Sequence, residues 1–175
     1  MSRKSILFVV LTFVLFLLAF MGYKVFSLSQ QKDAIEQVLQ KVPDFEFLTT
    51  NETSFNQTSI DSNTPTLFVF FNSECDFCRY EVQDIKVNIK ELQDIEILFV
   101  STEPMADIIG FSEEYNLNQH QNIHFLHDST SAIYSLFDLT SYPYILIYNK
   151  NKKLLKRHKG QLNVQAILRV LKEND

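Results

Sequence analysis

Glycine is almost missing from this chain, with three residues in 175. So few leave no material for a glycine-rich phosphate loop, and that excludes the nucleotide-binding classes built on one. Cysteine is scarcer still, at two residues, too few for a disulfide scaffold. Tryptophan is absent. A basic excess is lacking as well: sixteen Lys and Arg stand against twenty-one Asp and Glu, a net charge of −5. Such a chain carries no electrostatic footprint for nucleic acid. No internal repeat or low-complexity tract is present. What is abundant is apolar: 46% of the residues, with sixteen Phe and seven Tyr, enough for one core. The length leaves room for one domain plus an appendage.

The appendage is at the amino terminus. From Ser5 to Tyr23 there is no charge, and nearly every residue is Ile, Leu, Phe or Val. At about 1.5 Å per residue a helix of this stretch approaches the ~30 Å core of a bilayer. Arg3 and Lys4 precede it, which favours a cytoplasmic amino terminus and an extracytoplasmic domain, against Lys24 and Lys32 on the far side. A cleaved signal peptide competes with a retained anchor: Ser27-Leu28-Ser29 offers a late small-x-small site, and there is no lipobox cysteine. Either membrane reading puts the main domain outside. The chain thus divides into an anchor, residues 1–27, a stalk, 28–43, and a domain, 44–175. Ala34, Ile35, Val38, Leu39 and Val42 recur at helical spacing, so residues 31–42 are expected to form an amphipathic helix that Pro43 stops. It serves as a stalk, or alternatively as a dimerisation helix.

Within the domain, short alternating stretches around Asn51-Glu52 suit an entry hairpin. Leu67 to Phe71 (LFVFF) is apolar throughout, as in a strand buried on both faces. Val82, Ile85, Ile89 and Leu92 step by three and four, marking a helix. Further strands are expected at Ile95–Val100, Ile123–Leu126, Tyr144–Tyr148 and Leu154–Arg157. Helices are expected at Met105–Tyr115, around Ala132–Phe137, and after Asn163 as N-cap. The order β-α-β-α-β-α-β-β-α implies an α/β domain with a mainly parallel sheet flanked by helices and closed by a hairpin.

The two cysteines sit as Cys75-Asp76-Phe77-Cys78, directly after a buried strand and at the start of a helix. There the unpaired N–H groups and the helix dipole favour a thiolate at Cys75, while Cys78, one turn on, faces inward. The first thiolate attacks a partner's disulfide and the second resolves the mixed disulfide. Three plainer readings compete. A structural disulfide closes too short a loop to constrain the unfolded chain much. A zinc site would need His120 and His124, whose His-x₃-His spacing fits but whose distance from Cys78 far exceeds the usual finger interval. Two free structural thiols are the third. The histidines themselves read as solvated strand-end or loop side chains.

The stretch Phe71-Asn72-Ser73-Glu74-Cys75-Asp76-Phe77-Cys78-Arg79-Tyr80-Glu81 resembles the motif region of TlpA/ResA-like thioredoxin-fold reductases, which are anchored to bacterial membranes and face the cell envelope. The likeness runs from about Phe45 to the carboxy terminus. It implies a thioredoxin-like fold with Cys75 and Cys78 as a redox-active disulfide and no other cofactor or metal. It also implies disulfide-containing envelope proteins as partners and a membrane electron donor. Glu81 matches an acidic residue that in that family modulates the active-site thiols; a solvated helix carboxylate is the plain alternative. Ser141-Tyr142-Pro143 matches the cis-proline loop that lies against the CxxC, with an ordinary trans proline at a strand edge as its alternative. Gly160 also matches. The family usually has Trp before the first Cys and Pro between the two, where this chain has Glu74 and Asp76-Phe77. The substrate therefore does not carry over.

Glu74 and Asp76 flank Cys75, and negative charge disfavours a thiolate. With Arg79 and the helix dipole pulling the other way, the motif reads as a reductant or mild exchanger rather than a strong oxidant. Rival functions remain. A peroxiredoxin shares the fold, but Phe68 and Asn72 occupy the Pro and Thr places of its Pro-x-x-x-Thr-x-x-Cys pattern. A copper-delivery module uses CxxxC, one residue longer. A non-enzymatic binding module would tolerate loss of both thiols. An isomerase of this fold would dimerise.

Overall fold

The computed structural model describes residues 3–174. Residues 1, 2 and 175, the outer ends of the expected segments 1–27 and 44–175, lie outside the described residues. So do the side chains of residues 3–11, 31, 32 and 34, which include Arg3, Lys4 and the first part of the Ser5–Tyr23 run.

The chain forms two compact units, Met1–Val38 and Leu39–Asp175. The first is helical, on α1 (Arg3–Leu39). It contains no proline and a single glycine, Gly22, and a lone glycine costs about 1 kcal/mol without breaking a helix. The stretch Thr12–Leu39 is long and apolar enough to cross a membrane, and Phe13, Phe16, Phe20 and Phe26 are exposed along it. The expected amphipathic helix at 31–42 is not a separate element. It is the last part of α1, and it ends at Leu39, three residues early. The cause is capture of the chain by a strand: Lys41 bridges Lys153, and the Leu154 N–H donates to the Gln40 carbonyl at 3.0 Å.

The second unit is a thioredoxin-like α/β domain. Its strands are β1 (Glu46–Thr49), β2 (Ser54–Asn56), β3 (Thr66–Phe70), β4 (Glu96–Ser101), β5 (Ile123–His127), β6 (Tyr144–Tyr148) and β7 (Leu154–Lys159). They form one mixed sheet in the order β2-β1-β5-β4-β3-β6-β7. β3, β4 and β5 run parallel; β1, β2, β6 and β7 join antiparallel. The helices are α2 (Asp76–Val87), α3 (Met105–Tyr115), α4 (Ile133–Leu136) and α5 (Val164–Lys172), with single 3₁₀ turns at Gln57–Ser59 and Ile89–Leu92. The helix expected through Leu92 thus stops at Val87, and the 3₁₀ turn follows it. Asn163 caps α5 as its sequence position foretells, its side chain accepting from the Ala166 N–H at 2.9 Å.

All residues of β3, β4 and β6 are buried, which is why their sequences are apolar without alternation. Pleating still sorts them to two faces. Leu67, Val69 and Phe71 pack with Val82 and Ile85 of α2, Phe111 of α3 and Val164 and Ile167 of α5. Phe68 and Phe70 point the other way, into a ring cluster with Phe45, Phe137, Tyr144 and Tyr148 at centroid distances of 5.0–5.9 Å. Each such side chain, fully buried, contributes about 1.5–3 kcal/mol.

The sheet also sets the position of the motif. β3 ends at Phe70, opposite both Val100 of β4 and Tyr144 of β6. The loop entering β6 and the loop leaving β4 therefore meet the segment that leaves β3 for α2.

Candidate active site

That segment is Phe71 to Cys75. The Phe71 N–H donates to the Val100 carbonyl at 3.0 Å, continuing the ladder by one residue. The chain then turns: the Cys75 N–H donates to the Asn72 carbonyl at 3.2 Å, and the Glu74 N–H to Asn72 Oδ1 at 3.1 Å. Cys75 is the N-cap of α2, in extended conformation (φ −81°, ψ 114°), and its side chain makes no capping hydrogen bond. An N-cap side chain lies where the first free N–H groups of the helix converge, a position that favours an anion.

Both cysteines are free thiols, Cys75 half-buried and Cys78 fully buried. Burial pushes the Cys78 thiol far up. A hydrogen bond to Cys75 and the charges of Cys75 and Glu103 add to that, while a backbone hydrogen bond from Asn72 opposes it. The two sulfurs thus have contrasting environments, one facing solvent at a helix terminus and one held as a neutral thiol inside.

The Tyr142–Pro143 loop lies directly against the first sulfur. The Tyr142–Pro143 bond is cis, as the family likeness implies, and Pro143 is buried. The Cys75 thiol is 3.9 Å from the Tyr142 carbonyl oxygen, a long S–H···O contact. The loop is fixed from behind by the Gly160 N–H, which donates to the Pro143 carbonyl at 2.8 Å. Gly160 has φ +91°, where a side chain would be strained. The Tyr142 and Tyr134 hydroxyls are hydrogen-bonded at 3.0 Å.

Glu81 is not a solvated helix carboxylate. It is 1% exposed, one turn beyond Cys78 on α2. Its Oε2 accepts the Leu162 N–H at 2.8 Å, while Oε1 has no partner among the described residues. Burial raises its pKa to about 7, with the nearby Asp84 charge adding and the Leu162 hydrogen bond opposing. A hollow of about 280 Å³ lined by Tyr80, Glu81, Asp84, Gln161 and Asn163 opens beside it.

The acidic neighbours read from the sequence, Glu74 and Asp76, are exposed. The carboxylate that reaches the motif is instead Glu103, in the loop after β4, which the sequence reading did not single out. The only signal available was its place just past the end of a buried parallel strand, where α/β folds gather functional groups. Arg79 is committed elsewhere: its Nε donates to the Ser73 carbonyl at 2.9 Å, and it pairs with Glu114 of α3 at 2.6 Å. His124 is not a solvated side chain but lies within β5, its ring 4.9 Å from Phe55 and its Nε2 3.3 Å from Glu96. Among the described residues no three His, Cys, Asp or Glu side chains group as a metal site.

Comparison with known proteins supports the thioredoxin-like fold. The family model described as AhpC/TSA matches residues 38–157. A search of the curated proteins found no match. Among solved structures, the exposed lipoprotein thioredoxin Etrx1 of Streptococcus pneumoniae is 25% identical, over 74% of this chain and 98% of that one, with a TM-score of 0.59. A secreted Mycobacterium tuberculosis disulfide oxidoreductase homologous to E. coli DsbE is 18% identical, over 77% and 96%, at 0.60. The peroxidoxin BcpB of M. tuberculosis is 16% identical, over 77% and 96%, at 0.65. The last two likenesses bear on the fold alone.

Proposed function

The chain belongs to the AhpC/TSA family, and from that premise we propose that it is a thiol–disulfide oxidoreductase of the TlpA/ResA-like kind, held in a membrane and working on its extracytoplasmic side. The observation that carries this reading is the thiol pair itself. Cys75 is accessible at the amino terminus of α2 against the Tyr142–Pro143 loop, with Cys78 buried one turn behind it. In this reading residues 1–27 anchor the protein, 28–43 form the stalk and 44–175 carry the chemistry. The apolar stretch of α1 supports the anchor, and a signal sequence fits the same stretch.

The Cys75 thiolate attacks one sulfur of a partner's disulfide, forming a mixed disulfide and releasing the other partner sulfur as a thiol after protonation. Cys78 then loses its proton and attacks the Cys75 sulfur. The partner leaves with both sulfurs reduced, two electrons and two protons richer, and Cys75–Cys78 is left oxidised. A membrane electron donor returns the pair to the dithiol. Because Cys78 is buried and reluctant to ionise, the second step needs a proton acceptor. Glu81, one turn away with a free oxygen and a pKa of about 7, is suited to it. Pro143 and the Tyr142 carbonyl present a backbone edge beside Cys75 on which a partner segment can lie. Envelope proteins with disulfides are the substrates this implies. With the Glu103 carboxylate against the Asn72–Ser73 turn and Arg79 paired with Glu114, the pair is a donor of electrons rather than a strong oxidant.

Peroxide reduction is the second reading, supported by the family assignment. Against it, Phe68 is buried in the ring cluster and the Asn72 amide is bound to Glu103, where that chemistry calls for Pro and Thr.

The test uses the full-length chain in detergent micelles, with insulin and with hydrogen peroxide as substrates. Insulin reduction is expected, abolished by Cys75→Ser, while Cys78→Ser accumulates mixed disulfides. Peroxide turnover without insulin reduction would select the second reading. Inactivity on both would leave a copper-delivery or binding module.

A further inference from the structure

The turn that presents Cys75 is held by a carboxylate that lies thirty residues away in sequence. Glu103 Oε1 accepts from Asn72 Nδ2 at 3.1 Å and from Ser73 Oγ at 2.7 Å. Its Oε2 accepts from the Ser73 N–H at 2.7 Å and from Ser101 Oγ at 3.1 Å. Four donors fill the acceptor capacity of the two oxygens. Ser101, fully buried at the end of β4, also accepts the Glu103 N–H at 3.2 Å, so the carboxylate stands on a rigid strand end.

The bonds continue into the motif. Asn72, tied to Glu103 through its amide nitrogen, uses Oδ1 to accept the Glu74 N–H and its carbonyl to accept the Cys75 N–H. Ser73, tied through both N–H and hydroxyl, has its carbonyl held by Arg79. The turn from 72 to 75 is therefore clamped between an anion from the loop after β4 and a cation from α2. Hydrogen bonds to an ionised acceptor are about twice as strong as neutral ones.

We infer that Glu103 is a positioning residue for Cys75: by clamping the Asn72–Ser73 turn it holds the Cys75 sulfur at the N-cap of α2 and against the Tyr142 carbonyl. This rests on the reading of Cys75 as the attacking thiol and adds the group that aims it. Without the carboxylate, two donors of Ser73 and one of Asn72 lose their acceptor, and the turn can rotate. A sulfur displaced by even about 1 Å loses the convergence of N–H groups that makes an N-cap thiol reactive, an error that costs up to ~100-fold in comparable positioned groups.

The experiment measures alkylation of Cys75 by iodoacetamide in the full-length Cys78→Ser chain, where it is the sole thiol, well below the unfolding temperature. Glu103→Ala should slow alkylation at least about tenfold. Glu103→Gln, which keeps one acceptor oxygen and replaces the other by a donor, should slow it less than Glu103→Ala does. A merely structural role would lower the thermal midpoint of both variants and leave the alkylation rate per folded molecule unchanged. Rates for Glu103→Ala within about twofold of the parent overturn the inference. So does equal slowing of the two variants, because charge and not the clamp would then be responsible. If Glu103→Ala does not fold, Ser73→Ala carries the test by deleting the 2.7 Å hydroxyl bond. It should slow alkylation about threefold, and no slowing overturns the inference. Alkylation involves no disulfide partner, so a parent whose Cys75 alkylates as expected but whose dithiol reduces nothing counts against the proposed function alone.

Discussion

Two buried regions on opposite faces of the sheet each contain polar oxygens without a partner among the described residues, and the same force acts on them to opposite ends. Beneath the ring cluster of Phe68 and Phe137, the Tyr148 hydroxyl is buried and unpaired, and the buried Tyr144 hydroxyl has only the nearby Arg157 guanidinium, short of a well-formed hydrogen bond. Beside α5, Glu81 Oε1 is buried and unpaired as well. Burial penalises the charged form in both places. For the tyrosines it drives ionisation away from any working pH, with Tyr144 raised to about 12 and Tyr148 further. Those hydroxyls become inert. For the carboxylate the same penalty moves titration into the working range, to about 7. Desolvation silences a weak acid and makes a stronger one responsive. At neutral pH burial therefore leaves the two tyrosine hydroxyls protonated and makes the Glu81 carboxylate responsive.

The ring cluster should be purely a matter of stability. Phe68→Ala is expected to cost about 3–5 kcal/mol in denaturant unfolding, by lost burial and a residual cavity. The loss should not vary between pH 5 and 8, and the Cys75 alkylation rate of the remaining folded protein should match the parent. A pH-dependent loss would mean that the two regions are coupled.

Glu81 should show the opposite signature. Its folded pKa is raised above its unfolded value, so the native state binds more protons between the two, and stability falls as pH rises through that window. The interval from 4.5 to about 7 corresponds to roughly 3 kcal/mol, at about 1.4 kcal/mol per pH unit. Glu81→Gln keeps an acceptor for the Leu162 N–H and removes the ionisation. The variant should match the wild type near pH 4.5 and exceed it by roughly 3 kcal/mol at pH 8, with slower resolution of the mixed disulfide by Cys78. Parallel stability–pH curves for the two proteins would show that Glu81 does not titrate in the folded chain as described.

The smallest effect is expected at Tyr148. Removing an unpaired hydroxyl exposes no new donor or acceptor, so Tyr148→Phe should change stability by no more than about 1 kcal/mol, in the stabilising direction, and independently of pH. A clear destabilisation in calorimetry would reveal that the hydroxyl does have a partner.

Much of this is legible in the sequence. LFVFF at Leu67–Phe71 names a two-sided buried strand because only such a strand is apolar without alternation. The CxxC at its exit names the helix start. Legibility failed where local pattern and tertiary contact diverged. The apolar spacing of Val38, Leu39 and Val42 foretold a helix to Val42, but pairing of Lys41 with Lys153 ended it at Leu39. Glu74 and Asp76 looked decisive because they adjoin Cys75 in sequence, yet both point to solvent. His124 read as a solvated side chain near a strand end, and Glu96 and Phe55 hold it.

What the sequence alone determined is the inventory and its periodicity. It defined an uncharged amino-terminal run, a strand–helix alternation that permits one fold class, and two cysteines one helical turn apart at a helix start. Those features are local, and spacing along one chain suffices to read them. Which carboxylate serves the thiols, and which is spent on solvent, was decided only by the sheet. β4 lies next to β3, so the loop after Ser101 meets the loop after Phe70 and carries Glu103 to Ser73. β6 lies on the other side and carries Tyr142 to Cys75. Electrostatic influence depends on distance and on the dielectric between groups, and neither is a function of separation along the chain.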